Sequence, residues 1–302
     1  MVIGFSPVQR PTGRCTSSRA WSWQVVVAAS LIALSLSCLQ IAIAGELVPP
    51  IEDERLGSEA SAVSSSSMPE TTPPWPARPL MEGNWQDLPP EEFAEVMQRI
   101  RHHRAAPTRF WIRRNEWSVP VEPSRLRRLP LACYDNVALI EGELEIPGVQ
   151  SGVLTFLSHD RGITLLNGQR GVEQIRQLNK WNRPQLTTPE QAVTYLKFVI
   201  GTMDPGDGNF RVLEEAQSLD WKTDEDRAAH AHLEQAIRPV TMTKKEHDWI
   251  GEAIIQYKAD LYRAELSLSL NGQPNMLDDQ SLGSNLPIKV RRFFEWVRYD
   301  AW

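Results

Sequence analysis

Beyond residue 90 the spacing of apolar side chains switches between three-to-four and two, and each switch marks an expected element. In residues 91–104, Phe93, Val96, Met97 and Ile100 recur at helical spacing. Glu91 and Glu92 open the segment and Arg101 and Arg104 close it, which suits the helix dipole, so a short amphipathic helix is predicted. Across residues 138–146, Ala138, Ile140, Gly142, Leu144 and Ile146 alternate with Glu141, Glu143 and Glu145, the signature of a strand with one wet face. Two apolar runs, 153–157 and 163–166, flank a polar stretch from Ser158 to Gly162. They predict a hairpin, apolar on both faces and so central in its sheet.

Val172, Ile175 and Leu178 give a narrow helical stripe that Pro184 stops. The next segment has the fuller signature. Thr188 is an N-cap, Pro189 occupies the first helical position and Gln191 completes a capping box. Ala192, Val193, Leu196, Val199 and Ile200 then form a broad apolar face that ends at Gly201.

Residues 249–279 read two ways. Thr243, Glu246 and the spacing of Ile250, Ala253, Ile254, Tyr257 and Leu261 fit a capped helix, whereas Trp249, Gly251, Ala253, Ile255 and Tyr257 share the parity of a strand. The neighbouring run favours the strand. Tyr262, Ala264, Leu266, Leu268 and Leu270 alternate with Arg263, Glu265, Ser267 and Ser269 up to an Asn271–Gly272 turn, and such a strand needs partners on both sides. The expected fold is therefore α+β, an antiparallel sheet of hairpins and a C-terminal meander with helices packed on one face.

The first 90 residues follow different rules. Arg10, Arg14 and Arg19 precede an apolar run, residues 25–44, that ends in Ala42, Ile43 and Ala44, the layout of an export signal. Cleavage after Ala44 releases the chain outside the cytoplasm. Retention of the twenty-residue run makes it an anchor, the only expected membrane contact, and lipidation at Cys38 is the third alternative. Residues 45–90, with Ser64 to Ser67 and prolines from Pro49 to Pro90, read as a disordered Pro- and Ser-rich tether in which Trp75 and Trp85 could serve as a docking peptide. The expected organisation is an export segment at 1–44, the tether at 45–90 and one globular domain at 91–302. After cleavage only Cys133 remains; it heads an apolar run and reads as a buried, inert thiol.

Charge adds one feature. Between residues 99 and 128 nine arginines face only Glu116 and Glu122, in a chain of net charge -6. Interleaved with Phe110, Trp111 and Trp117, this stretch is a candidate anion-binding surface, at Arg109, Arg113, Arg114, Arg125, Arg127 and Arg128; the competing reading is that it pairs with the protein's own acids. Export argues against a nucleic-acid partner and leaves a polyanion or a protein outside the cytoplasm. The tail from Ile288, where Lys289, Arg291, Arg292 and Arg298 mingle with Phe293, Phe294, Trp296, Tyr299 and Trp302, has the composition of a membrane-surface helix, but docking of its rings on its own domain is the favoured reading.

No local pattern supplies a catalytic, cofactor or metal site. His230 and His232 lie two apart on an expected helix, 224–237, and so point in different directions. His159 with Asp160 and His247 with Asp248 fall at turns, and the segment from Asp204 to Asn209 breaks the calcium-loop pattern at Gly206 and Gly208. The sequence thus implies an exported, envelope-associated, non-catalytic interaction module. The alternative is an envelope hydrolase or transferase whose site is assembled from distant positions.

Overall fold

The computed structural model describes residues 74–102, 110–114, 117–145, 151–166, 168–204, 208–294 and 297–301. Residues 1–73, which hold the expected export segment and most of the expected tether, lie outside the described residues, as do Arg104, Arg109, Asp207 and Trp302.

In chain order the elements are β1 (Gln86–Asp87), α1 (Pro90–His102), β2 (Phe110–Arg114), β3 (Trp117–Val121), β4 (Leu126–Pro130), β5 (Ala138–Leu144), β6 (Gly152–His159), β7 (Gly162–Leu165), α2 (Gly171–Trp181) and α3 (Pro189–Gly201). They continue with β8 (Phe210–Leu213), α4 (Asp224–Ala229), α5 (Ala231–Ala236), β9 (Thr241–Lys245), β10 (Asp248–Tyr257), β11 (Asp260–Ser269), β12 (Pro274–Gly283), β13 (Val290–Phe294) and β14 (Val297–Ala301). The fold is α+β, and every strand pairing among the described residues is antiparallel.

Two sheets form rather than one. The larger runs β1-β4-β5-β6-β14-β13 with β7 beside β6, the smaller runs β12-β11-β10-β8 with β9 beside β10, and β2 and β3 pair only with each other. Alternation along the strands fixes what each face meets. Leu126, Ile140, Leu154 and Phe156 share a cluster with Val96, Met97 and Ile100 of α1. Their neighbours Leu129, Leu139 and Leu157 point the other way, toward α2 and α3. Helices therefore cover both faces of the larger sheet, not one.

Helix α3 sits between the sheets. Its core also takes in Met242, Trp249, Ala253, Ile255, Ala264 and Leu266 of the smaller sheet. Ala192, Tyr195, Leu196, Phe198, Val199 and Ile200 are all buried, so the helix is apolar nearly all round, as burial on several sides demands. The expected capping box is present, with Thr188 Oγ1 accepting from the Gln191 amide and the Gln191 side chain reaching back to the Thr188 amide. Tyr195 donates to the Gly272 carbonyl at 2.9 Å, tying the β11–β12 turn to the helix. Gly272 has φ +80°, and a Cβ there would lie 2.5 Å from the Tyr195 hydroxyl, so the turn takes glycine on both counts.

The strand reading of Trp249 to Tyr257 holds, and β10, β11 and β12 form the expected meander. Four features differ from expectation. Residues 74–88 are packed rather than tether-like, with Ala77, Leu80 and Met81 buried. The expected helix over 224–237 breaks at His230, which caps α4 and precedes α5. The tail docks on its own domain as expected, but it does so as a β-hairpin added to the larger sheet through Arg298 opposite Val153. The supposedly wet face of β5 is covered: Glu141 is fully buried. Among the described residues no helix is long and apolar enough to cross a membrane.

Candidate functional site

The covered face of β5 carries the densest cluster of buried charge among the described residues. Strands β4, β5 and β6 register Arg127 against Glu141 and Glu141 against Thr155, a polar row across the centre of the sheet. Glu141 Oε2 accepts from Arg127 Nε at 2.9 Å and Nη2 at 2.5 Å. Its Oε1 accepts from Arg298 Nη2 at 2.6 Å and from the Leu80 amide at 2.7 Å. One row further along, Arg125 pairs with Glu143.

Residues 74–88 run over this face as a strap. The Trp75 ring lies against the guanidiniums of Arg125 and Arg127, 4.5 and 4.0 Å from the ring centre, and Trp85 lies 5.1 Å from Arg127. Arg291 of β13 donates through Nη1 to the Leu80 carbonyl at 3.0 Å and through Nη2 to the Pro79 carbonyl at 2.6 Å. The same Nη1 reaches Asn209 Oδ1 at 3.3 Å, while Asn209 Nδ2 donates to the carbonyls of Gly201 and Met203, closing the end of α3.

Farther along the strap, Arg78 holds Asp220 through Nε at 2.8 Å and Nη2 at 2.6 Å, and its amide donates to Asp300 Oδ2 at 2.8 Å. Glu82 accepts from the Glu214 amide at 3.1 Å and from the Ser218 hydroxyl. The strap thus joins the larger sheet to the loop that follows β8.

Burial sets the electrostatics. It lowers the pKa of the Arg127 guanidinium despite the attraction of Glu141. It lowers that of Arg291 well below the usual arginine value, reinforced by repulsion from Arg298 and Arg211. Arg211 is brought down to about 10, by burial first and Arg78 second. At Asp220 burial opposes ionisation, but the bonds and charges of Arg78, with Arg211 and Lys289, outweigh it and hold the carboxyl below its ordinary range. The Glu141 carboxylate accepts from four donors on its two oxygens, so it is fully occupied as an acceptor. This network organises the fold.

The arginines singled out from sequence divide into two sets. Arg125 is bonded to Glu143, Arg127 to Glu141 and Arg128 to Glu92 at 3.2 Å, and nearby Arg101 pairs with Glu122 at 2.7 Å. Arg109 lies outside the described residues. Arg113 and Arg114 belong to β2, opposite Ser118 and Trp117 of β3. Three of the six, Arg125, Arg127 and Arg128, are thus committed to carboxylates of the protein's own β5 and α1.

The histidines remain apart as well. His159 Nδ1 accepts from the Arg161 amide at 3.2 Å and Nε2 lies 3.2 Å from Thr164 Oγ1, while its ring stands edge-on to Trp181 at 4.9 Å. His247 is exposed in the β9–β10 turn, and His230 stacks on Trp221 at 5.2 Å with Nδ1 2.8 Å from the Asp226 carbonyl oxygen. Cys133 is buried and its thiol pKa is pushed up to about 12 by desolvation, which keeps it unreactive. Among the described residues no three His, Cys, Asp or Glu side chains come together as a metal site.

Sequence reasoning placed none of Glu141, Arg298, Arg291, Asn209 or the strap in one assembly. A signal for the first pair existed: Arg125 and Arg127 alternate with the same period as Glu141 and Glu143, which is how two neighbouring strands match charge across one face. No protein-family model, curated protein or solved structure matches this chain.

Proposed function

We propose that this chain is an exported, envelope-associated, non-catalytic interaction module that meets an anionic surface through the β2–β3 hairpin and the arginines Arg109, Arg113 and Arg114. One observation carries the reading. The arginines at 101, 125, 127 and 128 are matched by the protein's own carboxylates, while among the described residues the strands of the hairpin bearing Arg113 and Arg114 pair with each other and join neither main sheet. An isolated two-stranded ribbon gains little stability in water, and its aromatic and cationic composition suits a contact with an outside partner. The run at 25–44 with Arg10, Arg14 and Arg19 ahead of it supports export, and the scattered histidines give no support to a hydrolase or transferase.

The test is retention on an anionic matrix. Replacing Arg109, Arg113 and Arg114 together by Ala should lower the salt needed for elution, because each arginine removed takes away an attraction to the matrix of the kind that salt screens over about 10 Å at 0.1 M. Replacing Arg101 and Glu122, an exposed matched pair, should leave it unchanged. Equal elution of the triple variant and the parent protein rejects the reading.

A further inference from the structure

The outer margin of the smaller sheet is β12, and among the described residues no strand lies beyond it. It is ten residues long and mostly exposed, so one side of its backbone presents N–H and C=O groups without a strand partner. Its register on β11 slips twice, leaving Leu277 and Leu282 as the extra residues of two bulges, with a regular stretch from Asp278 to Ser281 between them. Leu277 and, at the end of β11 in the same hairpin, Leu270 are the large apolar side chains left exposed among the described residues.

Charge along this margin is of one sign. Glu252 of β10 faces Glu265 of β11, and Glu265 faces Asp278 of β12, so three carboxylates form one row that ends at the margin. Arg238 and Arg263 both turn to Glu252. No ion pair among the described residues reaches Glu265, Asp278 or Asp279, all of them exposed. Like charges directly opposite each other weaken a sheet, and local conflicts of this kind collect where a protein meets something else. Among the described residues the carboxylates do not converge as a metal site.

We infer that β12 receives an extended basic segment of a partner protein, which adds to the sheet as a further strand. Strands lie about 4.8 Å apart, so the side chain opposite Asp278 continues the row of Glu252, Glu265 and Asp278 and meets a carboxylate with no cationic partner. The next residue along the segment points to the other face, beside Asp279. Two adjacent lysines or arginines therefore fit Asp278 and Asp279, and an apolar residue next to them covers Leu277. One oxygen of Asp278 accepts from the Asp279 amide at 2.9 Å, which leaves the other for the incoming cation. A second copy of this chain fits poorly, because pairing across Asp278 to Ser281 brings two sets of Asp278, Asp279 and Glu265 together in a chain of net charge -6. Bulges and uniform charge thus guard the margin against its own copies and leave it open to a segment of opposite sign. The site uses no residue of the β2–β3 hairpin and does not rest on the anionic-surface reading.

The test uses the full chain and a fluorescein-labelled peptide of about ten residues, alternating Thr and Val with Lys-Lys-Leu at its centre. Fluorescence anisotropy should show saturable binding that weakens with salt, and amide exchange should slow across residues 277–281. Replacing Asp278 and Asp279 together by Ser should weaken binding roughly two- to thirtyfold, the worth of two exposed ion pairs. The peptide with Glu-Glu in place of Lys-Lys should not bind. Of the two alternate sets of peptide backbone nitrogens, N-methylation of one should abolish binding although the charge is kept. No saturable binding at about 1 mM peptide overturns the inference. Equal binding by both methylated peptides marks a charge contact without strand addition and overturns it too. A dimer of the parent protein in sedimentation that Leu277→Lys dissolves assigns the margin to a second copy, with the same consequence. Should the double variant fail to fold, the methylated peptides and the exchange pattern on the parent protein decide.

Discussion

Glu141→Gln tests the claim that the strap, β4 and the C-terminal hairpin are joined through one carboxylate. The change keeps volume and removes the charge. It leaves Arg127 and Arg298 buried beside each other without a counter-charge, and it sets an NH2 group against either the two Arg127 donors or the Arg298 and Leu80 donors. Breaking a buried ion pair by removing one partner costs about 3–5 kcal/mol, a large fraction of the roughly 5–15 kcal/mol that typically holds a domain together. For a domain of this size each kcal/mol is worth about 2–4 °C, so the midpoint should fall by roughly 6–20 °C. Urea unfolding followed by tryptophan fluorescence reads this directly. Trp75 stacks on Arg127, so the probe sits on the element that should loosen. Replacing Arg127, Glu141 and Arg298 together by Met should recover much of the loss, because the desolvation penalty disappears with the charges. A Glu141→Gln variant within about 1 kcal/mol of the parent would refute the reasoning, since the carboxylate would then be dispensable to the packing built on it.

Three further outcomes are expected. Gly272→Ala should lose about 1–3 kcal/mol by urea titration, because its backbone is left-handed and its Cβ meets the Tyr195 hydroxyl, whereas an equal midpoint would mean the turn moves freely. Stability should fall as pH rises from about 9 toward about 12: burial raises the pKa of Cys133 and Tyr195 to about 12 and raises that of Tyr134, so in that window the unfolded chain has released protons that the native one keeps, and pH-dependent circular dichroism should show a loss that Cys133→Ala reduces. Trp75→Ala should speed amide exchange across residues 74–88 selectively, because it removes the ring lying on Arg125 and Arg127, and uniform protection would show that the strap is held without it.

What the sequence made legible and what it concealed separate along one physical line. Elements whose signal is local were readable. The Thr188 capping box and the 192–200 face predict α3 to within a residue, the parity of Tyr262 to Leu270 predicts β11, and the Asn271–Gly272 turn falls where expected. Elements whose signal depends on what lies across from them were not. Glu141, Glu143 and Glu145 alternate with apolar residues just as a solvated face would, and only register with Arg125 and Arg127, together with a strap from far earlier in the chain, turns two of those acids inward.

The strap shows the same limit from the other side. Its prolines and sparse apolar residues give no periodicity, and a segment of that kind taken alone does not offset the entropy of ordering. It is ordered here because its polar groups have prearranged partners. The backbone of Pro79 and Leu80 meets Arg291 and Glu141, Arg78 meets Asp220, Glu82 meets Ser218, and Trp75 and Trp85 lie on guanidiniums. Each of those partners comes from a residue at least forty positions away, so no window along the sequence contains both halves of the interaction. The basic stretch divides by the same rule: arginines at 125, 127 and 128 that are close in sequence to 113 and 114 are committed to carboxylates on other elements. A count of charge along the chain cannot distinguish an arginine that closes a fold from one that faces a partner. The distinction lies in pairing across strands, and for this protein it moves the proposed contact from a thirty-residue basic run to one hairpin.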